Sequence, residues 1–201
     1  MGTRHLICVV KDGEYKVAQY GQWDGYPGGQ GLDILEFLTN KMDRKLFENR
    51  LDKVSWLTDK GNKTRWTRCG ADKKSNLVSM DIADKHAAKY PENSRDTGAG
   101  ILPLIQDAKK PIKLINSIDF SGDSLFCEWA YVIDLDKNVF EVYEGFNKTP
   151  ISENERFASF KQQPEHRTEE HFPIRIAKLY NLNKLPTSEE FLSDFKDDEE
   201  E

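Results

Sequence analysis

Side chains able to do chemistry concentrate between Gln19 and Gly31, where the chain reads Gln-Tyr-Gly-Gln-Trp-Asp-Gly-Tyr-Pro-Gly-Gly-Gln-Gly. Gly25, Gly28, Gly29 and Gly31 let the backbone approach a ligand closely and adopt positive φ. Tyr20, Trp23 and Tyr26 offer ring faces on which a base or sugar can stack, while Gln22, Asp24 and Gln30 supply hydrogen bonds. A helix starting near Gly31 or Leu32 would aim its free N–H groups and positive dipole end at the same place, which favours an anion. Arg4 and His5, at the start of the neighbouring strand, add positive charge. These residue types point to an anionic, nucleotide-like small molecule held by Arg4, His5, Tyr20, Gln22, Trp23, Asp24, Tyr26, Gln30 and Gly31. The competing reading is a structural loop whose aromatics plug one end of the core. The glycine spacing is neither that of a Rossmann fingerprint nor that of a P-loop.

Other constellations are thinner. Thr3 follows Gly2, so cleavage between them would expose a threonine whose own amine could activate it, the chemistry of a terminal nucleophile. Cys8 and Cys127 lie among apolar and aromatic neighbours and read as core, whereas Cys69, between Arg68 and Gly70, is the thiol expected to react first. His166 and His171 with Glu165, Glu169 and Glu170 have neither zinc-helix nor zinc-finger spacing, and no metal site is assigned. Asp134, Asp136 and Asn138 lack the glycine and the closing glutamate of a calcium loop and fit a hairpin turn better. Trp56 and Trp66 beside Lys60, Lys63, Arg65 and Arg68 form the nucleic-acid candidate. A sequence pI near 5.4 places nucleic acid behind a small molecule as partner.

The elements that must position these groups follow from pattern. Residues 4–10 and 14–20 around Asp12-Gly13 predict a β-hairpin, its nearly all-apolar first arm covered on both faces. Leu32, Leu35, Leu38, Met42, Leu46, Leu51 and Val54 predict one bent helix or two over 32–57. A polar connection is expected over 60–74, a helix over 79–90 with Ser79 as N-cap, and a helix or loop over 98–108. Strands are expected over 113–120, 125–135, 139–145 and 172–180, the middle two as a hairpin with Cys127, Trp129, Tyr131 and Ile133 on one face. Thr187 and Glu190 predict a capping box opening a short helix. The order implies α+β, a mostly antiparallel sheet with packed helices. It is organised as one domain over 1–186, then a short helix and acidic tail over 187–201.

Composition sets outer limits. The 201 residues are 37% hydrophobic and 11% aromatic, enough for a substantial core, and a mean hydropathy of −0.72 implies a very polar surface. No apolar run approaches the about 20 residues of a membrane span, the N-terminus lacks a secretory pattern, and three cysteines make no disulfide framework. A cytoplasmic protein without membrane contact is expected. Net charge is −6 overall, yet residues 41–74 hold eleven bases against five acids. The last fifteen residues hold eight acids against Lys196.

The segment from Gly2-Thr3-Arg4-His5-Leu6 through Gln19-to-Pro27 and Gln30-Gly31 resembles a family of uncharacterised proteins from bacterial viruses and fungi. The similarity extends to the Tyr-Val-Ile-Asp-Leu-Asp strand pair and to the helix start near Leu185. The resemblance implies a fold and no reaction. A strand at the terminus, the layered α+β order and the late hairpin are also similar to the N-terminal nucleophile hydrolases, in which Thr3 would be the nucleophile. The leading expectation is thus a small-molecule-binding protein without cofactor. An amide hydrolase using Thr3 and a protein-interaction factor are the alternatives.

Overall fold

The computed structural model describes residues 2–72, 78–160 and 171–195. A five-stranded mixed sheet forms its centre, in the order β2-β1-β5-β6-β7. Strands β1 (His5–Lys11) and β2 (Glu14–Gly21) make the N-terminal hairpin, with Asp12 and Gly13 at φ of 56° and 73° as a tight turn requires. Strands β5 (Trp129–Asp134) and β6 (Val139–Glu144) make the second hairpin, and β7 (Arg175–Asn181) closes the far edge. Within this sheet every pairing is antiparallel except β1 with β5. This is the α+β class that the element order implies.

Strand β1 is apolar from Leu6 to Val10 because both of its faces are covered. Ile7 and Val9 face a core built with Ile34, Phe37, Phe47, Ile101 and Phe191, while Leu6, Cys8 and Val10 face a second cluster around Ala130, Val132, Tyr143 and Phe157. The helical layer on the first face comprises α1 (Leu32–Glu36), α2 (Arg44–Leu51), α5 (Ile101–Gln106) and α6 (Ser188–Ser193). Thr187 and Glu190 close the capping box of α6, whose Phe191 is fully buried in the main core.

Several expected elements differ. Of the one or two helices expected over 32–57 the structure has two, ending at Leu51: π-helical turns Pro27–Gly31 and Phe37–Lys41 flank α1, Met42 is extended, and Asp43 caps α2 by accepting from Leu46 N at 2.9 Å. Residues after Leu51 instead form β3 (Val54–Trp56), which pairs in parallel with β4 (Ile112–Leu114) as a separate two-stranded sheet. The polar stretch after Lys60 is not a connection but helix α3 (Asp59–Arg68), capped by Thr58 accepting from Gly61 N at 3.1 Å. Helix α4 (Met80–Lys89) lies as its spacing predicts, although Ser79 makes no side-chain cap.

The strand expected over 113–120 ends at Leu114. Asn116 accepts from Ile118 N, an Asx turn that diverts the backbone into the 3₁₀ turn Ile118–Gly122. Residues 124–126 form a turn, so β5 begins at Trp129. Cys127, turned by its N–H bond to the Asp123 carbonyl, joins the second cluster and not the face of Tyr131. The Asp134-to-Asn138 segment forms the turn of the second hairpin, as expected, and Asp136 accepts from Asp12 N and Gly13 N, so the two hairpin turns brace each other. No helix among the described residues is long and apolar enough to cross a membrane.

Candidate functional site

The period of two in a strand divides the predicted constellation. His5 lies on the face of Ile7 and Tyr131, under the helices, whereas Arg4 reaches the opposite face. There its guanidinium stands 4.7 Å over the Phe126 ring and 3.3 Å from Glu128 Oε1. Tyr20, paired with Leu6, shares that face, its ring edge-on to Phe120 at 5.0 Å and its hydroxyl 2.5 Å from Gln22 Oε1. Burial raises the Tyr20 pKa, and both Arg4 and Arg95 act against that rise, so two guanidiniums stand within electrostatic reach of one phenol. Arg95 is the more available: its side chain is 59% exposed and its ion pair to Asp96 is long, at 3.9 Å. Arg95 carries no motif, and only the fold brings it here.

The loop itself is pinned. Gln22 N donates to Arg95 O, Gly25 N to Thr3 O and Gln30 N to Asp24 O, all within 2.9 Å. Tyr131 OH donates to Gly25 O at 2.8 Å, and Gln30 Oε1 accepts from Ala99 N at 2.6 Å. Asp24 sits at φ 54°, a left-handed value Asp tolerates better than bulky residues. Its backbone, more than its carboxylate, shapes the bend. Trp23 donates through Nε1 to Asp96 at 2.7 Å with its ring against Gly2, and remains 46% exposed. Tyr26 is 45% exposed.

Three expectations change. The helical N-terminus does not offer a full set of free donors: Gly29 N and Gln30 N are bonded to Tyr26 O and Asp24 O. Gly31 is buried, and a Cβ there would meet Phe191 at 3.0 Å, so it serves packing. His5 adds no charge. It is 1% exposed, and burial lowers its pKa to about 4, partly offset by the Thr3 backbone. Neither ring nitrogen forms a hydrogen bond among the described residues. Thr3, the candidate nucleophile, gives its carbonyl to Gly25, and its neighbour is this neutral imidazole.

The other candidates resolve simply. All three cysteines are free and buried; Cys8 and Cys127 are completely so, and burial pushes those two thiols up. Cys69 is 8% exposed at the end of α3, not in an open loop. His166 lies outside the described residues, as does the acidic tail beyond Phe195. Among the described residues no group of three or more His, Cys, Asp or Glu is placed to hold a metal. Sequence reasoning also passed over Arg156, which bridges Asp134 at 2.5 Å and Glu141 at 2.6 Å on the second face. Tyr143 OH adds a bond to Glu141 at 2.9 Å. Comparison of the chain with protein-family models, curated proteins and solved structures returned no match.

Proposed function

We propose that the chain binds an anionic, nucleotide-like small molecule at the rim formed by Tyr20, Gln22, Trp23, Tyr26 and Arg95. The observation that carries this reading is the half-exposure of Trp23 and Tyr26 on a loop whose backbone is hydrogen-bonded on both sides of each ring. Large rings held open at a fixed position lose little conformational freedom when a planar ligand stacks on them. Arg95 supplies the cation, the Tyr20 hydroxyl and the Gln22 amide supply polar contacts, and Arg4 is held beside them by Glu128.

A thermal-shift panel of nucleoside mono-, di- and triphosphates and cyclic dinucleotides tests this. A ligand at one hundred times its Kd stabilises the native state by about 2.7 kcal/mol, a readily measured rise in midpoint. Trp23→Ala and Arg95→Gln should each abolish the shift while leaving the unliganded midpoint within a few degrees. The reading fails if no member of the panel moves the midpoint and mass spectrometry finds no small molecule released on denaturation.

A further inference from the structure

Helix α3 buries none of its residues. A helix without an apolar face gains little from the core, so its presence asks for another partner. Lys60, Lys63, Thr64 and Thr67 recur at helical spacing and line a surface cavity of about 920 Å³, with Trp66 and Arg68. A groove of about 430 Å³ shares Lys60, Thr64 and Arg68 with that cavity and runs to Lys113. A third, of about 360 Å³, shares Arg65 and Lys113 with the second and continues to Lys109 and Lys110. Shared walls make the three one tract.

The tract is cationic in a way the overall charge hides. Lys60, Lys63, Arg68, Lys109, Lys110 and Lys113 are all exposed and form no ion pair among the described residues. Arg65 is different: it is spent on Glu92 at 2.6 Å and on the Tyr90 ring at 4.6 Å. Asp59 and Asp72 are the remaining acids on the walls.

One wall also carries a built aromatic platform. The Trp66 ring lies on His86 at 3.8 Å and 7° from parallel. His86 is 2% exposed, its Nε2 has no hydrogen-bond partner among the described residues, and burial, then Arg65, lower its pKa. It therefore backs Trp66 as a neutral ring.

We propose that this tract binds single-stranded nucleic acid, with a base continuing the Trp66–His86 stack and phosphates following the lysines. Base–aromatic stacking contributes about 1–3 kcal/mol per base and tolerates any base, while unpaired cations neutralise the backbone. A duplex hides the ring faces that Trp66 would stack. An acidic peptide would use the cations but leave the platform idle.

Fluorescence anisotropy with labelled twelve-nucleotide single strands, the matching duplex and a polyglutamate peptide tests the proposal. Single strands should bind best, with log K falling against log salt. Lys60→Gln with Lys63→Gln should reduce that slope by about 1.4, at about 0.7 per lost phosphate contact. Trp66→Phe should weaken binding less than Trp66→Ala, and circular dichroism identifies any variant that fails to fold. The same charge change elsewhere, Lys45→Gln with Lys53→Gln, should leave affinity within about twofold, and Trp23→Ala should not alter it, which separates this site from the loop. Absence of binding at low salt, equal binding of duplex, preference for polyglutamate, or insensitivity to the Lys60/Lys63 pair would each overturn it.

Discussion

Lowering the pH should strike this protein at His5 before it strikes most of the surface. The imidazole is 1% exposed, neither nitrogen is hydrogen-bonded among the described residues, and burial takes its pKa from 6.5 to about 4. Between those values the unfolded chain binds a proton that the folded chain refuses, so unfolding gains as pH falls. Stability is therefore fully present above about pH 6.5, declines toward pH 4, and loses nothing further from this group below that. At about 1.4 kcal/mol per pH unit, the loss from this one side chain is about 3 kcal/mol. That is a large fraction of the about 5–15 kcal/mol typical of a folded domain. The assay is urea unfolding of the wild type and His5→Leu from pH 7.5 to pH 3.5, with His5→Gln as a second neutral replacement. Carboxylates also titrate in this window, but their contributions cancel when the two stability curves are subtracted. The difference should fall by about 3 kcal/mol as pH drops, and in parallel thermal unfolding the wild-type midpoint should fall relative to the variant by roughly 6–12 °C. Parallel curves would refute the reasoning, because they would mean that His5 gains a partner when protonated.

Two further perturbations probe the scaffold. Gly25→Ala places a Cβ 2.7 Å from Thr3 O and 2.8 Å from His5 Cβ, so chemical denaturation should show a loss of about 1–3 kcal/mol. Gly28→Ala, whose Cβ would meet nothing nearer than Leu192 at 3.6 Å, should be neutral or slightly stabilising. Arg156→Met leaves Asp134 and Glu141, 1% and 5% exposed, without their shared cation, and should cost about 3–5 kcal/mol in urea unfolding. A loss under about 1 kcal/mol would mean that the two carboxylates find water or another donor.

Local chemistry made the two hairpins, α4 and α6 legible, because turn residues, alternation and caps act over a few residues. Asp12-Gly13 tolerates the positive φ that a tight turn requires, and Thr187 with Glu190 satisfies backbone donors without outside help. Helix α3 escaped because it has no apolar period: its cap at Thr58 and its basic last turn were the available signals. The break before α2 was written in Asp43, one N-cap inside an apparently continuous heptad-like run.

The candidate site shows the other limit. Residue types announced a shaped loop, and the run of apolar residues in β1 announced a strand covered on both faces. Adjacency in sequence could not say that Arg4 and His5 part company across the sheet, nor that Gly29 N and Gln30 N of the helical turn are taken by Tyr26 O and Asp24 O. Arg95 beside Tyr20, and Lys109 to Lys113 beside α3, depend on contacts between segments tens of residues apart. Short-range preferences fix turns, caps and faces because their energy is local. Which charges meet, and which imidazole is sealed from water, is decided when distant segments pack and exclude solvent together.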